Sequence, residues 1–141
     1  MALIQDREKP KVREILARMD KPVKIVNFTQ ELECQYCRET RGLLEEVAEL
    51  SDKLTLEGHD LLLDKAKAEE LHVDKIPATV LLGEGDRGIR FYGIPAGYEF
   101  ATLLEDIVMV SQGDSGLSAA SREKLRGLKD PLHLQVYVTP T

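Results

Sequence analysis

Apolar and polar residues alternate along this chain with two different periods, and the changes of period outline its elements. From about Ile4 to Met19 the apolar positions Val12, Ile15, Leu16 and Met19 share one helical face, and Pro22 follows as a stop. Pro22–Phe28 predicts a strand, and Gln35–Ser51 a helix with Leu43, Leu44, Val47, Ala48 and Leu50 at helical spacing. Gly42 lies inside that helix, where it is either a kink or a tolerated exposed glycine. A second strand is expected from Lys53 to Leu63, then a short helix, Lys65–Leu71, with Asp64 as its cap. A helix between two strands is the signature of a parallel pair. Ile76–Leu82 predicts a buried strand opened by Pro77, and the glycine-rich turn Gly83–Gly88 returns the chain as a hairpin through Ile89–Tyr92. Tyr98–Val110 is amphipathic, with Phe100, Leu103, Leu104, Ile107 and Val108 turned one way. The order is β-α-β-α-β-β-α behind an extra N-terminal helix.

The remaining stretch echoes the beginning. Ser118–Leu128 predicts a helix and Leu132–Val138 an alternating strand. Displaced by 109 residues, Arg13, Glu14, Leu16 and Pro22 fall on Arg122, Glu123, Leu125 and Pro131, while Met19, Ile25 and Phe28 fall on Leu128, Leu134 and Tyr137. Helix, proline and strand recur in order, as an internal repeat should. The expectation is one complete unit over residues 1–116 and the opening of a second over 117–141, stopping where the first copy approaches its cysteines.

Composition narrows the class. Hydrophobic residues make up 43% of the 141 and charged residues 31%, which suits a folded globular domain. The net charge of −6 argues against nucleic acid or an anionic membrane as the main partner. No apolar run reaches membrane-spanning length, and Met1–Asp6 lacks the basic and apolar regions of a signal peptide, so a cytoplasmic location is expected. High charge with a single asparagine, Asn27, leans towards a thermophile.

The chemistry concentrates in two residues. Cys34 and Cys37 are the only cysteines and form a Cys-x-x-Cys pair where a strand hands over to a helix. Unbonded N–H groups and the positive end of the helix dipole favour a thiolate there. A thiolate attacks disulfides, and a second cysteine one turn on can close an internal disulfide. Thiol–disulfide exchange is therefore the reading of choice near a βαβ pattern. Two others stay open. The pair could be half of a zinc site, although His59, His72 and His133 show no zinc-finger spacing; or it could be a structural disulfide, which across so short a loop stabilises little. No cofactor is called for.

Strand, Cys-x-x-Cys, βαβ and then Ile-Pro before a hairpin resemble the thioredoxin-like fold, a mixed four-stranded sheet flanked by helices. Cys34–Cys37, Phe91–Phe100, Leu104–Ile107 and Val138–Thr141 look like the N-terminal unit, and the start of the second, of the two-unit glutaredoxin-like protein disulfide oxidoreductases of thermophiles. The resemblance implies an exposed nucleophile at Cys34, a buried resolving thiol at Cys37, and a cis peptide at Pro77 that presents the Ile76 backbone to substrate. Tyr36, between the cysteines, belongs to the expected substrate rim. Protein disulfides and dithiols, a thioredoxin-reductase-like flavoprotein and peroxiredoxins are the implied partners. The sequence departs from the pattern in three ways. The family's second Cys-x-x-Cys is absent. Gly42 takes the place of the thioredoxin kink proline. Asn27 and Phe28 stand where thioredoxins bury a carboxylate, leaving water, Glu31 or Glu33 to handle the Cys37 proton. A glutathione-dependent glutaredoxin and a non-catalytic docking module remain the rival functions.

Overall fold

The structure is a computed structural model that describes residues 2–139; Met1, Pro140 and Thr141, which fall in the N-terminal and closing sequence patterns above, lie outside the described residues. Nine elements follow in order: α1 (Lys9–Leu16), β1 (Val23–Thr29), α2 (Cys37–Ala48), β2 (Leu54–Asp60), α3 (Lys65–Glu70), β3 (Ala78–Leu82), β4 (Asp86–Tyr92), α4 (Tyr98–Gln112) and α5 (Ala119–Arg126). The sheet order is β2-β1-β3-β4. β1 and β2 are parallel with α2 as crossover, while β1–β3 and β3–β4 are antiparallel, so the sheet is mixed. This is the thioredoxin-like α/β architecture.

Side chains alternate across a strand, so the sheet builds two cores. Val23 and Ile25 of β1 join Leu81 and Phe91 beneath α1, α2 and α4, including Leu16, Leu44, Val47, Leu103 and Ile107. Val26 and Phe28 face the opposite side, where Ala78 and Val80 meet Ala68 of α3 and the following Leu71 and Val73. The first core is fastened from two directions. Ser111, buried at the end of α4, donates to the Lys21 carbonyl at 2.6 Å and accepts from the Asp20 amide at 2.8 Å. The Glu46 carboxylate of α2 accepts from the Leu3 and Ile4 amides at 2.7 and 2.8 Å, which straps the N-terminal segment over α2. A Cβ at Gly42 would touch Leu3 Cδ1 at an ordinary 3.6 Å, and α2 runs unbroken through this position. Gly83 is held to hydrogen by close approach, since a Cβ there would meet Val110 Cγ1 at 2.7 Å.

Several expectations are corrected. α1 begins at Lys9, not near Ile4, because Gln5–Glu8 form a turn and Pro10 sits in the first helical turn, where it needs no donor. β2 ends at Asp60 instead of Leu63. The Asp60 carboxylate accepts from the Leu62 and Leu63 amides at 2.8 and 3.0 Å, bending the chain out of the sheet and leaving both leucines exposed. Asp64 occupies the N-cap of α3 without a side-chain cap bond; its carboxylate is turned to the Asp60 amide and to His59. Leu132–Val138 is not a strand. These residues are exposed and pair with none of the described strands, and an alternating segment without a ladder partner has no strand to join.

Candidate thiol–disulfide site

β1 delivers the chain to the end of the sheet at Thr29, and α2 begins at Cys37, with Tyr36 at its N-cap. Cys34 and Cys37 are joined in a disulfide with their Cα atoms 5.5 Å apart. The two residues are unequally covered: Cys34 is half-buried, whereas Cys37 is 2% exposed in the first turn of α2. On reduction, the free amides and dipole of that turn favour charge at the cysteines. Glu33, immediately before Cys34, takes a left-handed φ of 57°. Both Glu33 and Glu31 are exposed residues of the loop. Leu32 and Tyr36 flank the disulfide as exposed apolar surface, 75% and 43% accessible. Tyr36 is thus at the surface and not in the core.

The other predicted site residues approach from β3. The Ile76–Pro77 peptide is cis, Pro77 is buried, and Ile76 is half-buried. Ala78 pairs with Phe28 in the antiparallel β1–β3 ladder, which brings the Ile76–Pro77 turn to the end of β1 from which the cysteine loop departs. This turn is held at both sides. The Pro77 carbonyl accepts from the Gly93 amide at 2.8 Å, and the Ala78 carbonyl accepts from Asn27 Nδ2 at 3.0 Å. Lys75 lies over the Tyr92 ring, 4.8 Å from its centroid. Sequence reasoning missed Arg90, whose guanidinium donates to the Leu71 carbonyl at 2.9 and 3.1 Å and pairs with Asp86. It ties β4 to the end of α3, from which the chain runs to Pro77. An arginine between Ile89 and Phe91 in a strand was the available signal.

His59 is a strand histidine, as expected, but not an isolated one. Its ring stacks on Phe28 at 5.6 Å and sits between Glu57 Oε1, at 2.6 Å, and Asp64 Oδ2, at 3.1 Å. The hydrogen bond from His59, then that from Lys24, holds the Glu57 carboxyl down at about 2. Among the described residues, no group of three or more histidines, cysteines or acids is placed to hold a metal ion. No helix there is long and apolar enough to cross a membrane.

Two buried polar residues also escaped sequence reasoning. Thr40, one turn into α2, and Thr79, beside Asn27 in the β1–β3 ladder, are both fully buried. A threonine interrupting each apolar stripe was the sign.

Fold and site together define a thioredoxin-fold domain of the thiol–disulfide oxidoreductase type, with a Cys-x-x-Cys disulfide at the head of its second helix. Known proteins agree at that level. The chain matches no protein-family model. It superposes on a protein disulfide oxidoreductase from Aeropyrum pernix with a TM-score of 0.80 and 31% identity, covering 89% of this chain and 56% of that one. The NTD_N/C domain of alkyl hydroperoxide reductase AhpF from Enterococcus faecalis gives a TM-score of 0.80 at 27% identity, over 89% of this chain and 61% of that one. In sequence, the F subunit of alkyl hydroperoxide reductase from Pseudomonas aeruginosa is 29% identical over 130 residues, 92% of this chain and 22% of the relative. Its Staphylococcus epidermidis counterpart is 29% identical over 104 residues, 73% of this chain and 18% of the relative. The chain thus spans about a fifth of the length of these curated relatives. Spinach chloroplast thioredoxin F, at 19% identity and a TM-score of 0.54, shares the fold.

Proposed function

We propose that the chain is a thiol–disulfide exchange unit acting on protein disulfides through Cys34 and Cys37. The carrying observation is the unequal burial of the two bonded cysteines at a helix N-terminus, with the more accessible one on the outside. In the reduced unit, the Cys34 thiolate attacks a substrate disulfide, forming a Cys34–substrate bond and releasing one substrate thiolate. Cys37 then attacks Cys34, closing the internal disulfide and expelling the second substrate thiolate. Two electrons pass from the pair to the substrate, and the reverse sequence oxidises a dithiol.

Tyr36, Ile76 and Pro77 form the substrate rim in this reading, with an extended substrate segment lying along the Ile76 backbone. Residues 1–116 act as the working unit and 117–141 open a second. The likeness to alkyl hydroperoxide reductase supports a flavoprotein reductase as electron source and a peroxiredoxin as acceptor. A reducing, cytoplasmic compartment suits a pair that must cycle.

The test is an equilibrium titration of the pair against a graded dithiothreitol buffer, read by alkylation and mass, with insulin reduction as the activity assay. A single two-electron transition between about −270 and −180 mV is expected, together with loss of turnover in Cys34→Ser. Full turnover in that variant, or no reversible transition, overturns the assignment. Turnover that depends on glutathione would instead indicate the glutaredoxin reading.

A further inference from the structure

Thioredoxin-like exchange poses a proton problem at Cys37. The sulfur must lose its proton to attack Cys34, yet the residue is 2% exposed. On the same side of the sheet, the structure gathers the only three buried side-chain polar atoms among the described residues that have no hydrogen-bond partner: Asn27 Oδ1, Thr40 Oγ1 and Thr79 Oγ1. Leaving such atoms unsatisfied is costly, so three in one neighbourhood require an explanation.

Their placement follows from register. Asn27 and Thr79 are directly paired across β1 and β3, so both project to the same face of the sheet. Ile25 and Leu81, the next pair on that face, belong to the core beneath α2. In α2 the buried positions are Cys37, Thr40, Leu43, Leu44 and Val47, one stripe turned to the sheet. The apolar ends of stripe and strands share one core; the polar positions, Cys37 and Thr40 on α2 and Asn27 and Thr79 on the strands, lie towards the cysteine end of each element. A buried helical threonine commonly satisfies its hydroxyl on the carbonyl one turn back, but Thr40 Oγ1 does not.

Asn27 also lines a cleft of about 310 Å³ between α2 and β2, with Arg41, Glu45, Glu49 and Gly58 among its walls. At roughly 30 Å³ per water molecule, it admits several waters. The same asparagine spends its amide on the Ala78 carbonyl and keeps an unused acceptor.

We propose that Asn27, Thr40 and Thr79 are positioning residues that hold a short file of water under Cys37, connecting its sulfur to solvent through the α2–β2 cleft. The proton of Cys37 leaves along this file when its thiolate attacks Cys34, and returns along it when the internal disulfide is reduced. An uncharged trio thereby serves where no acid is buried among the described residues. The proposal rests on the exchange reading above and concerns only its second step.

The two steps separate in one experiment with the reduced full chain and 5,5′-dithiobis(2-nitrobenzoate). Attack by Cys34 releases the first coloured thiolate in a phase proportional to reagent, and closure by Cys37 releases the second in a phase independent of it. Thr40→Val and Thr79→Val are expected to slow the second phase about tenfold, the scale of one lost hydrogen bond to a charged group, and to leave the first within about twofold. Thr40→Ser and Thr79→Ser restore the second phase. Gly58→Val, which puts apolar bulk at the cleft wall where a Cβ meets nothing within 4 Å, slows the second phase with all three polar residues intact. Unchanged second phases in the valine variants overturn the proposal, as does equal slowing of both phases, which would mark general damage. A wild-type chain that shows only the first phase, or none, defeats the exchange reading itself.

Discussion

The chain contains one pattern twice and folds it in two ways. In the first copy, Leu16 and Phe28 are 2% and 0% exposed; in the second, their counterparts Leu125 and Tyr137 are 49% and 87% exposed. Local signals do not explain the difference. α5 has the better start, since Ser118 accepts from the Ser121 amide at 3.1 Å, while Glu8 gives α1 no side-chain cap. What differs is company. β1 lies between β2 and β3, and α1 packs on α4. α5 buries no residue, and Leu132–Val138 pairs with none of the described strands. A pattern makes an apolar face available, and only a partner turns that face into structure.

The largest test of this contrast is Phe28→Ala against Tyr137→Ala. The first should cost about 3–5 kcal/mol in denaturant unfolding, as buried aromatic truncations do, and the second less than about 0.5 kcal/mol. Comparable losses would mean that the second copy is packed after all. A middle-sized effect separates the helix starts. Ser118→Ala should remove about 1 kcal/mol of local helix stability, seen as faster amide exchange within α5 at unchanged global stability. Glu8→Ala should leave α1 exchange as it is; a matching loss there would show that the caps are equivalent. The smallest effect concerns the charges that fasten β1 to β2. Lys24 meets Glu57 at 3.0 Å across the parallel pair, and His59 meets it within β2. Because the folded Glu57 carboxyl is held near 2 against an ordinary 4.5, its contribution is present above about pH 4.5 and fades as pH falls towards 2. With this side chain 35% exposed, the stake is under about 1 kcal/mol. Glu57→Gln should therefore show a stability gap to wild type that narrows as pH falls from about 5.5 to about 2.5, and a constant gap would dismiss the role.

Legibility in the sequence followed the same division. The strands of the sheet were readable because β1 and β3 are largely apolar on both faces, and the crossover of β1 to β2 followed from the helix between them. Errors fell where a polar side chain captured the backbone, as Asp60 does for Leu62 and Leu63, or where alternation lacked a partner, as in Leu132–Val138. At the candidate site, Cys34 and Cys37 announced themselves by spacing and by being the only pair. Tyr36 was expected at the surface because neither neighbour can cover it, and it is exposed. The cis Ile76–Pro77 peptide was expected only through the family resemblance, because spacing does not distinguish the two isomers. Thr40 and Thr79 were overlooked, since a threonine in an apolar stripe reads as a minor interruption until the helix is packed on the sheet.

Sequence alone determined the order of elements, the parallel crossover and the position of the cysteines at a helix start, because each is a local matter of period, turn residue and spacing. The tertiary structure decided which cysteine is covered, which apolar pattern is buried, and which buried polar atoms are left without partners. Those outcomes depend on distant segments, β3 against β1 and α2 against both, whose approach no short stretch of sequence encodes.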